Sequence, residues 1–177
     1  MPGFLFDMNL FFQRLLSRFL HDNLTIARIV DERRIRNMFA YAPDANPKHR
    51  SAPTPDFALF HGDMLHGFMD AKYRDTWTRG FPAEWLYQLS IYALSSPART
   101  SLMLYATTSA EASDERVEIR DPLWRSPGVS ASVVLRPVPL LRLAELVTPE
   151  RKSSRAAERR QWAEQLVTMK HRLPARA

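Results

Sequence analysis

The stretch Pro55-Asp56-Phe57-Ala58-Leu59-Phe60-His61-Gly62-Asp63-Met64-Leu65-His66-Gly67-Phe68-Met69-Asp70-Ala71-Lys72 decides how the chain folds. Two apolar runs, 56–60 and 65–73, flank His61-Gly62-Asp63-Met64, whose composition is that of a turn, so the pair reads as a β-hairpin. The period of two along a strand puts Asp70 and Lys72 on one face and Ala71 on the other. Gly67-Phe68-Met69 before Asp70 and Tyr73 after Lys72 mark the second strand as largely buried. A buried acid beside a buried lysine is unfavourable unless the two are paired or used.

Upstream, Asp7 is a good N-cap, and Met8, Phe11, Phe12, Leu15 and Phe19 recur at helical spacing, which predicts a helix over 7–20. Residues 25–30 fit either a strand or the end of a helical pair, and 37–41 favour a strand. Residues 42–55 hold four prolines and form a loop. Downstream, 76–82 reads as a loop, and 83–94 as a helix with Trp85, Leu86, Leu89, Tyr92 and Ala93 on one apolar face. A buried strand follows over 101–107, then a loop over 109–114. Residues 129–136 read as a strand broken by Pro137 and Pro139, and 140–146 as a short helix. The run 155–172 reads as a basic, mostly polar helix whose arginines contact phosphate or face solvent. Strands bracketed by helices without regular alternation predict an α/β fold with a mixed central sheet.

The chain has 177 residues, enough for one domain with a short tail, divided here as 1–150 and a basic helix or tail over 151–177. It has no cysteine, which excludes disulfides, zinc–thiolate sites and cysteine nucleophiles; any metal must be held by oxygen or imidazole. No apolar run approaches the length of a membrane span. The first residues lack a basic segment and meet Asp7 at once, unlike a secretory signal, so a cytoplasmic location is expected. The formal net charge of +6 favours a polyanionic partner. Only four of the 25 basic residues are Lys, and Lys72 is one of them.

An acid-x-Lys triplet is weak by itself. Glu150-Arg151-Lys152 is a second one, and Pro43-Asp44 a second Pro-Asp, but both lie in loop-like sequence. Only Asp56 and Asp70/Lys72 fall on adjacent apolar strands. His61 and His66, beside the hairpin turn, are less suited as metal ligands. Trp77, near Arg74 and Arg79, is the tryptophan best placed to stack on a base. Two carboxylates on neighbouring strands suit Mg²⁺ or Mn²⁺, and a lysine next to them suits a phosphate or an attacking water.

The segments Pro55-Asp56-Phe57-Ala58-Leu59, Asp70-Ala71-Lys72-Tyr73-Arg74 and Leu86-Tyr87-Gln88-Leu89-Ser90-Ile91-Tyr92-Ala93, in that order, resemble the nuclease domain of the McrC family, the nuclease subunits of modification-dependent restriction systems. Asp7-Met8-Asn9-Leu10-Phe11-Phe12 resembles that family's first nuclease helix, and the resemblance spans roughly residues 5–107. It implies a PD-(D/E)XK, restriction-endonuclease-like core, Mg²⁺- or Mn²⁺-dependent cleavage of DNA, and a GTP- or ATP-driven motor partner of the McrB type. By matching position it implies Asp56 and Asp70 as metal ligands, with the Ala71 carbonyl as a further one, and Lys72 as the catalytic lysine. Gln88 and Tyr92 match a Q-x-x-x-Y signature that orients the centre or the DNA strand. Where the family usually carries Glu on the first helix, this chain has Gln13. The function expected is that of a DNA endonuclease subunit of a defence system, possible as a homodimer because cutting two strands takes two centres. The alternative is a catalytically silent PD-(D/E)XK domain that binds DNA or scaffolds a complex.

Overall fold

Residues 6–36, 38–44, 46, 51–120, 128–148 and 155–170 are described by the structure, a computed structural model. The elements run α1 (Met8–Asn23), β1 (Arg28–Asp31), β2 (Phe57–His61), β3 (Met64–Lys72), α2 (Thr76–Arg79), α3 (Ala83–Leu94), β4 (Thr100–Thr107), β5 (Glu115–Arg120), β6 (Val129–Pro139), α4 (Leu140–Val147) and α5 (Ala156–Val167). One six-stranded sheet has the order β1-β2-β3-β4-β6-β5. Its β1, β2 and β3 are antiparallel, β3, β4 and β6 are parallel, and β5 returns antiparallel on β6. The mixed α/β architecture expected from the sequence is the one observed.

The alternation of side chains splits the core into two layers, one on each face of the sheet. On one face Phe57, Leu59, Met69 and Ala71 pack with Phe12, Leu16, Phe19 and Leu20 of α1 and with α4 and α5. On the other, Ala58, Phe60, Phe68, Met103 and Tyr105 pack against Leu89 and Tyr92 of α3. Helix α1 starts where Asp7 accepts a hydrogen bond from the Leu10 amide at 3.1 Å, and its apolar stripe at i, i+4, i+7 faces the sheet. Among the described residues no helix is long and apolar enough to cross a membrane.

Several expectations are corrected. Residues 76–79 are not loop but α2, because the Asp75 carboxylate accepts from the Trp77 and Thr78 amides and nucleates one helical turn. Residues 38–41 form a bend at 38–39 and irregular chain after it rather than a strand. Strand β6 does not stop at Arg136 but runs through Pro137 to Pro139. The last β5 partner is Glu115↔Leu135, so beyond it β6 is an edge on that side and the missing proline N–H groups leave no ladder bond unmade. Strand β5 was not among the expected elements. Helix α5 is shorter than 155–172 and is a core element: Ala163, Leu166 and Val167 are buried. Its polar groups are spent on the fold, Glu164 accepting from the Thr25 and Ile26 amides and Arg159 reaching Asn23. Glu150-Arg151-Lys152, Trp124 and residues 171–172 lie outside the described residues.

Candidate active site

The antiparallel pair β2/β3 brings Asp56 and Asp70 together, and it does so through a bulge. Next to the two-residue turn, His61 pairs with Met64 and Phe60 with Leu65; farther along, Leu59 pairs with Gly67, Ala58 with Phe68 and Phe57 with Met69. His66 is the extra residue. An unbroken register would set Asp56 opposite Met69 and send Asp70 to the other face, since a one-residue slip inverts every side chain. The bulge moves the pairing by one and leaves Asp56 opposite Asp70, both on the face covered by α3. It is fastened from outside the hairpin: the His66 carbonyl accepts from the Ser96 hydroxyl at 3.0 Å and the Ala98 amide at 3.1 Å. Gly62 in the turn has φ of 58°, the left-handed region glycine supplies freely.

Asp70 is 2% exposed on a central strand. Lys72 Nζ stands 2.6 Å from Asp70 Oδ2 as an ion pair. That oxygen is buried and has no partner besides Lys72 among the described residues. Asp56 Oδ2 accepts from the Ala71 amide at 2.8 Å. Ala71 turns its methyl to the opposite core layer. Gln88 and Tyr92, one turn apart on α3, are joined by a bond from Gln88 Nε2 to the Tyr92 hydroxyl at 2.7 Å.

Burial pushes Asp56 up to about 7, and the charge of Asp70 adds to this; the Ala71 amide and Lys72 oppose it. Asp70 is also raised by burial, against the pull of Lys72. Burial lifts Tyr92 to about 12, and the charges of Asp70 and Asp56 contribute, which sets its hydroxyl within electrostatic reach of both acids. Tyr92 therefore stays protonated at neutral pH, and with its oxygen accepting from Gln88 its own proton is left to donate.

All five residues singled out in the sequence thus share one end of one sheet face. The histidines do not join them: His61 and His66 meet edge to face, 4.8 Å between ring centroids, at the turn end of the hairpin, roughly five residues or ~16 Å from Asp56. Trp77 lies exposed on α2. The ring that faces the cations of the site is Trp85, with Lys72 Nζ and Arg74 Cζ each 5.5 Å from its ring centroid. Its position on the apolar stripe of α3 reads as core in the sequence. Sequence reasoning also passed over Glu32. Its amide donates to the Asp56 carbonyl at 2.9 Å, and its charge raises Asp56 further. Its φ of 48° is unusual for a non-glycine residue and signals local strain. Among the described residues no three His, Asp or Glu side chains gather as a closed metal cage. Two carboxylates on one face, one with a buried oxygen met only by Lys72, nevertheless fit an open oxygen site for a hard cation, with water and substrate completing the shell.

A stability prediction follows from the acid pair. A proton is held by Asp56 up to about pH 7 in the folded chain and only up to about 4 in the unfolded one. Folding therefore favours the protonated form, and that contribution is lost as pH rises through 7. Asp56→Asn keeps an acceptor for the Ala71 amide and removes the repulsion. In chelator at pH 8 this variant is expected to be the more stable by on the order of 1–2 kcal/mol, roughly 3–6 °C in Tm, with the difference vanishing at pH 4. Equal melting temperatures at pH 8 would contradict it.

No protein-family model matches the chain, and neither does any curated protein. Among solved structures, a chain of the refined half-complex from the tetradecameric assembly of Thermococcus gammatolerans McrB AAA+ hexamers with bound McrC is similar, with a TM-score of 0.54 and 20% identity. The match covers 93% of this chain and 34% of that one, so this chain spans about a third of its neighbour's length. The likeness is one of fold.

Proposed function

We propose that the chain is a PD-(D/E)XK nuclease domain that hydrolyses DNA phosphodiester bonds with Mg²⁺ or Mn²⁺, as a subunit of a restriction or defence system. The observation that carries this is the bulged hairpin that turns one buried carboxylate, one half-buried carboxylate and a lysine to one face. Nothing in the packing of the sheet requires those charges there, and burying them is unfavourable unless they are used.

Asp56 and Asp70 hold the cation, and the Ala71 carbonyl offers a further oxygen. A bound Mg²⁺ or Mn²⁺ supplies positive charge against a phosphate oxygen and eases the deprotonation of water. The rest is done by the chain's own groups. Lys72 places a compact cation where negative charge grows on the phosphate. Tyr92, fixed by Gln88, donates its proton toward the acids or the substrate and holds the α3 side of the site in place. The fold neighbour, whose description names McrB AAA+ hexamers with bound McrC, supports a GTP- or ATP-driven ring as the partner.

The purified chain is expected to nick or linearise supercoiled plasmid in Mg²⁺ or Mn²⁺ and not in chelator, and to bind Mn²⁺ in titration calorimetry. Binding without cleavage would assign the switch to a missing partner. Neither binding nor cleavage would overturn the proposal in favour of a silent DNA-binding or scaffold domain, a reading in which Gln13 in place of an acid finds a reason.

A further inference from the structure

A groove of about 820 Å³ runs along the same sheet face as the acids. Its floor is Leu65 and Phe68 of β3, its far wall is Ser95 at the end of α3, and its near wall is the segment after β1 that carries Arg33, Arg34 and Arg36. Phe68 lies two residues before Asp70 on the same strand face, and Glu32, opposite Asp56, lines the groove too. Asp56 and Asp70 do not themselves line the groove, which reaches toward them through Glu32 and Phe68, their neighbours on that face.

The three arginines differ from six others in the chain. Arg18, Arg28, Arg120, Arg136, Arg142 and Arg155 are each matched to a carboxylate within 4 Å. Arg33, Arg34 and Arg36 are exposed, and among the described residues no carboxylate pairs with any of them. Arg33 is steadied by its guanidinium lying 4.8 Å from the centroid of the buried Phe60 ring, a contact that uses none of its N–H groups as hydrogen-bond donors. Three unneutralised guanidiniums along one wall of a cleft, against a single Glu32, concentrate positive potential there. Guanidinium is the side chain that grips phosphate oxygens in pairs.

We infer that Arg33, Arg34 and Arg36 form a track for the phosphodiester backbone of a nucleic acid and lead one strand to the Asp56/Asp70 pair. This rests on the nuclease reading for its purpose but not for its test. The full chain is titrated, in chelator, against labelled duplex and single-stranded DNA from 50 to 300 mM KCl. Wild type is compared with Arg33→Ala/Arg34→Ala/Arg36→Ala. The control, Arg18→Ala/Arg116→Ala/Arg120→Ala, changes net charge equally on the far side of α1 and the opposite sheet edge. If three phosphate contacts are lost, the salt dependence becomes shallower by about 2.7 for duplex and about 2 for single strands, at roughly 0.9 and 0.7 per phosphate, with affinity weaker by on the order of tenfold or more. The control keeps a slope near wild type. A track variant that binds with the affinity and slope of the control overturns the inference, whether or not the protein cleaves. A wild type that binds DNA with the predicted difference but never cleaves keeps the track and removes the nuclease reading instead. A wild type that binds neither form of DNA overturns the track outright.

Discussion

Lys72→Ala is expected to lower metal-dependent DNA cleavage by on the order of 10²- to 10³-fold while leaving Mn²⁺ binding intact, and Asp70→Ala to abolish both. The two residues touch each other at 2.6 Å, yet their losses read differently. Removing Lys72 takes away a cation that stabilises charge developing on the phosphate, and it also frees an oxygen of Asp70. The site left behind is more negative, so Mn²⁺ binding holds or tightens while turnover collapses. Removing Asp70 takes away one of the two carboxylates and leaves Asp56 alone with one oxygen already engaged by the Ala71 amide. Lys72→Arg is expected to restore little, because a planar fork on a stem lodged by Trp85 cannot put its charge where the ammonium stood. Calorimetry with Mn²⁺ beside a plasmid-cleavage time course checks both halves. Cleavage retained in Asp70→Ala would sink the proposed active site. Cleavage lost together with Mn²⁺ binding in Lys72→Ala would instead make the lysine a structural partner of the acid.

The site was more legible in the sequence than the sheet that carries it. Asp56, Asp70, Lys72, Gln88 and Tyr92 were recognisable by type, spacing and order, and the helix over 83–94 was read with the bounds α3 has. What could not be read is why the acids meet. The Gly62-Asp63 turn implies an unbroken hairpin, and an unbroken hairpin separates Asp56 from Asp70 onto opposite faces. The correcting bulge at His66 is held by Ser96 and Ala98, thirty residues on, a dependence no local pattern carries. Strand β5 escaped for a different reason. Its alternation of Val117 and Ile119 with Arg116, Glu118 and Arg120 is regular, but only two apolar residues mark it and its outer edge is charged like a loop. Helix α5 shows the reverse error. Its arginines and glutamates suggested a solvated or phosphate-facing helix, whereas tertiary partners on α1 and α4 take up several of those charges and the few apolar residues become core.

Arg136→Met is expected to destabilise the fold by about 3–5 kcal/mol, on the order of 10 °C in Tm, although it lies on the β6 strand away from the acids. The guanidinium is fully buried. It forms a fork with the Asp114 carboxylate, the shortest bond 2.7 Å, and donates to the carbonyls of Gln165 at 2.9 Å, Leu166 at 3.0 Å, Thr168 at 2.6 Å and Lys170 at 2.9 Å. Gln165 and Leu166 lie in the last turn of α5, whose carbonyls have no intrahelical donor, and Thr168 and Lys170 follow it. One side chain thus neutralises a buried acid and caps a helix. Methionine fills the volume but strands the Asp114 charge and the carbonyls together, which is why the loss exceeds that of an ordinary core exchange. Pairing it with Asp114→Leu is expected to restore part of the stability, since the charge is gone, and not all of it, since the carbonyls remain. The effect reaches the active site through the segment Arg136 holds. Met169 lies against the hairpin so closely that a Cβ at Gly67 would stand 2.7 Å from its Cε, and Gly67 adjoins the bulged His66. Loosening 165–170 therefore frees the bulge that sets Asp70 opposite Asp56, and the variant is expected to lose cleavage below its own melting temperature. Denaturant unfolding and cleavage measured at one temperature separate the two effects. A single variant within about 1 kcal/mol of wild type would show that the C-terminal helix is held by its apolar face alone.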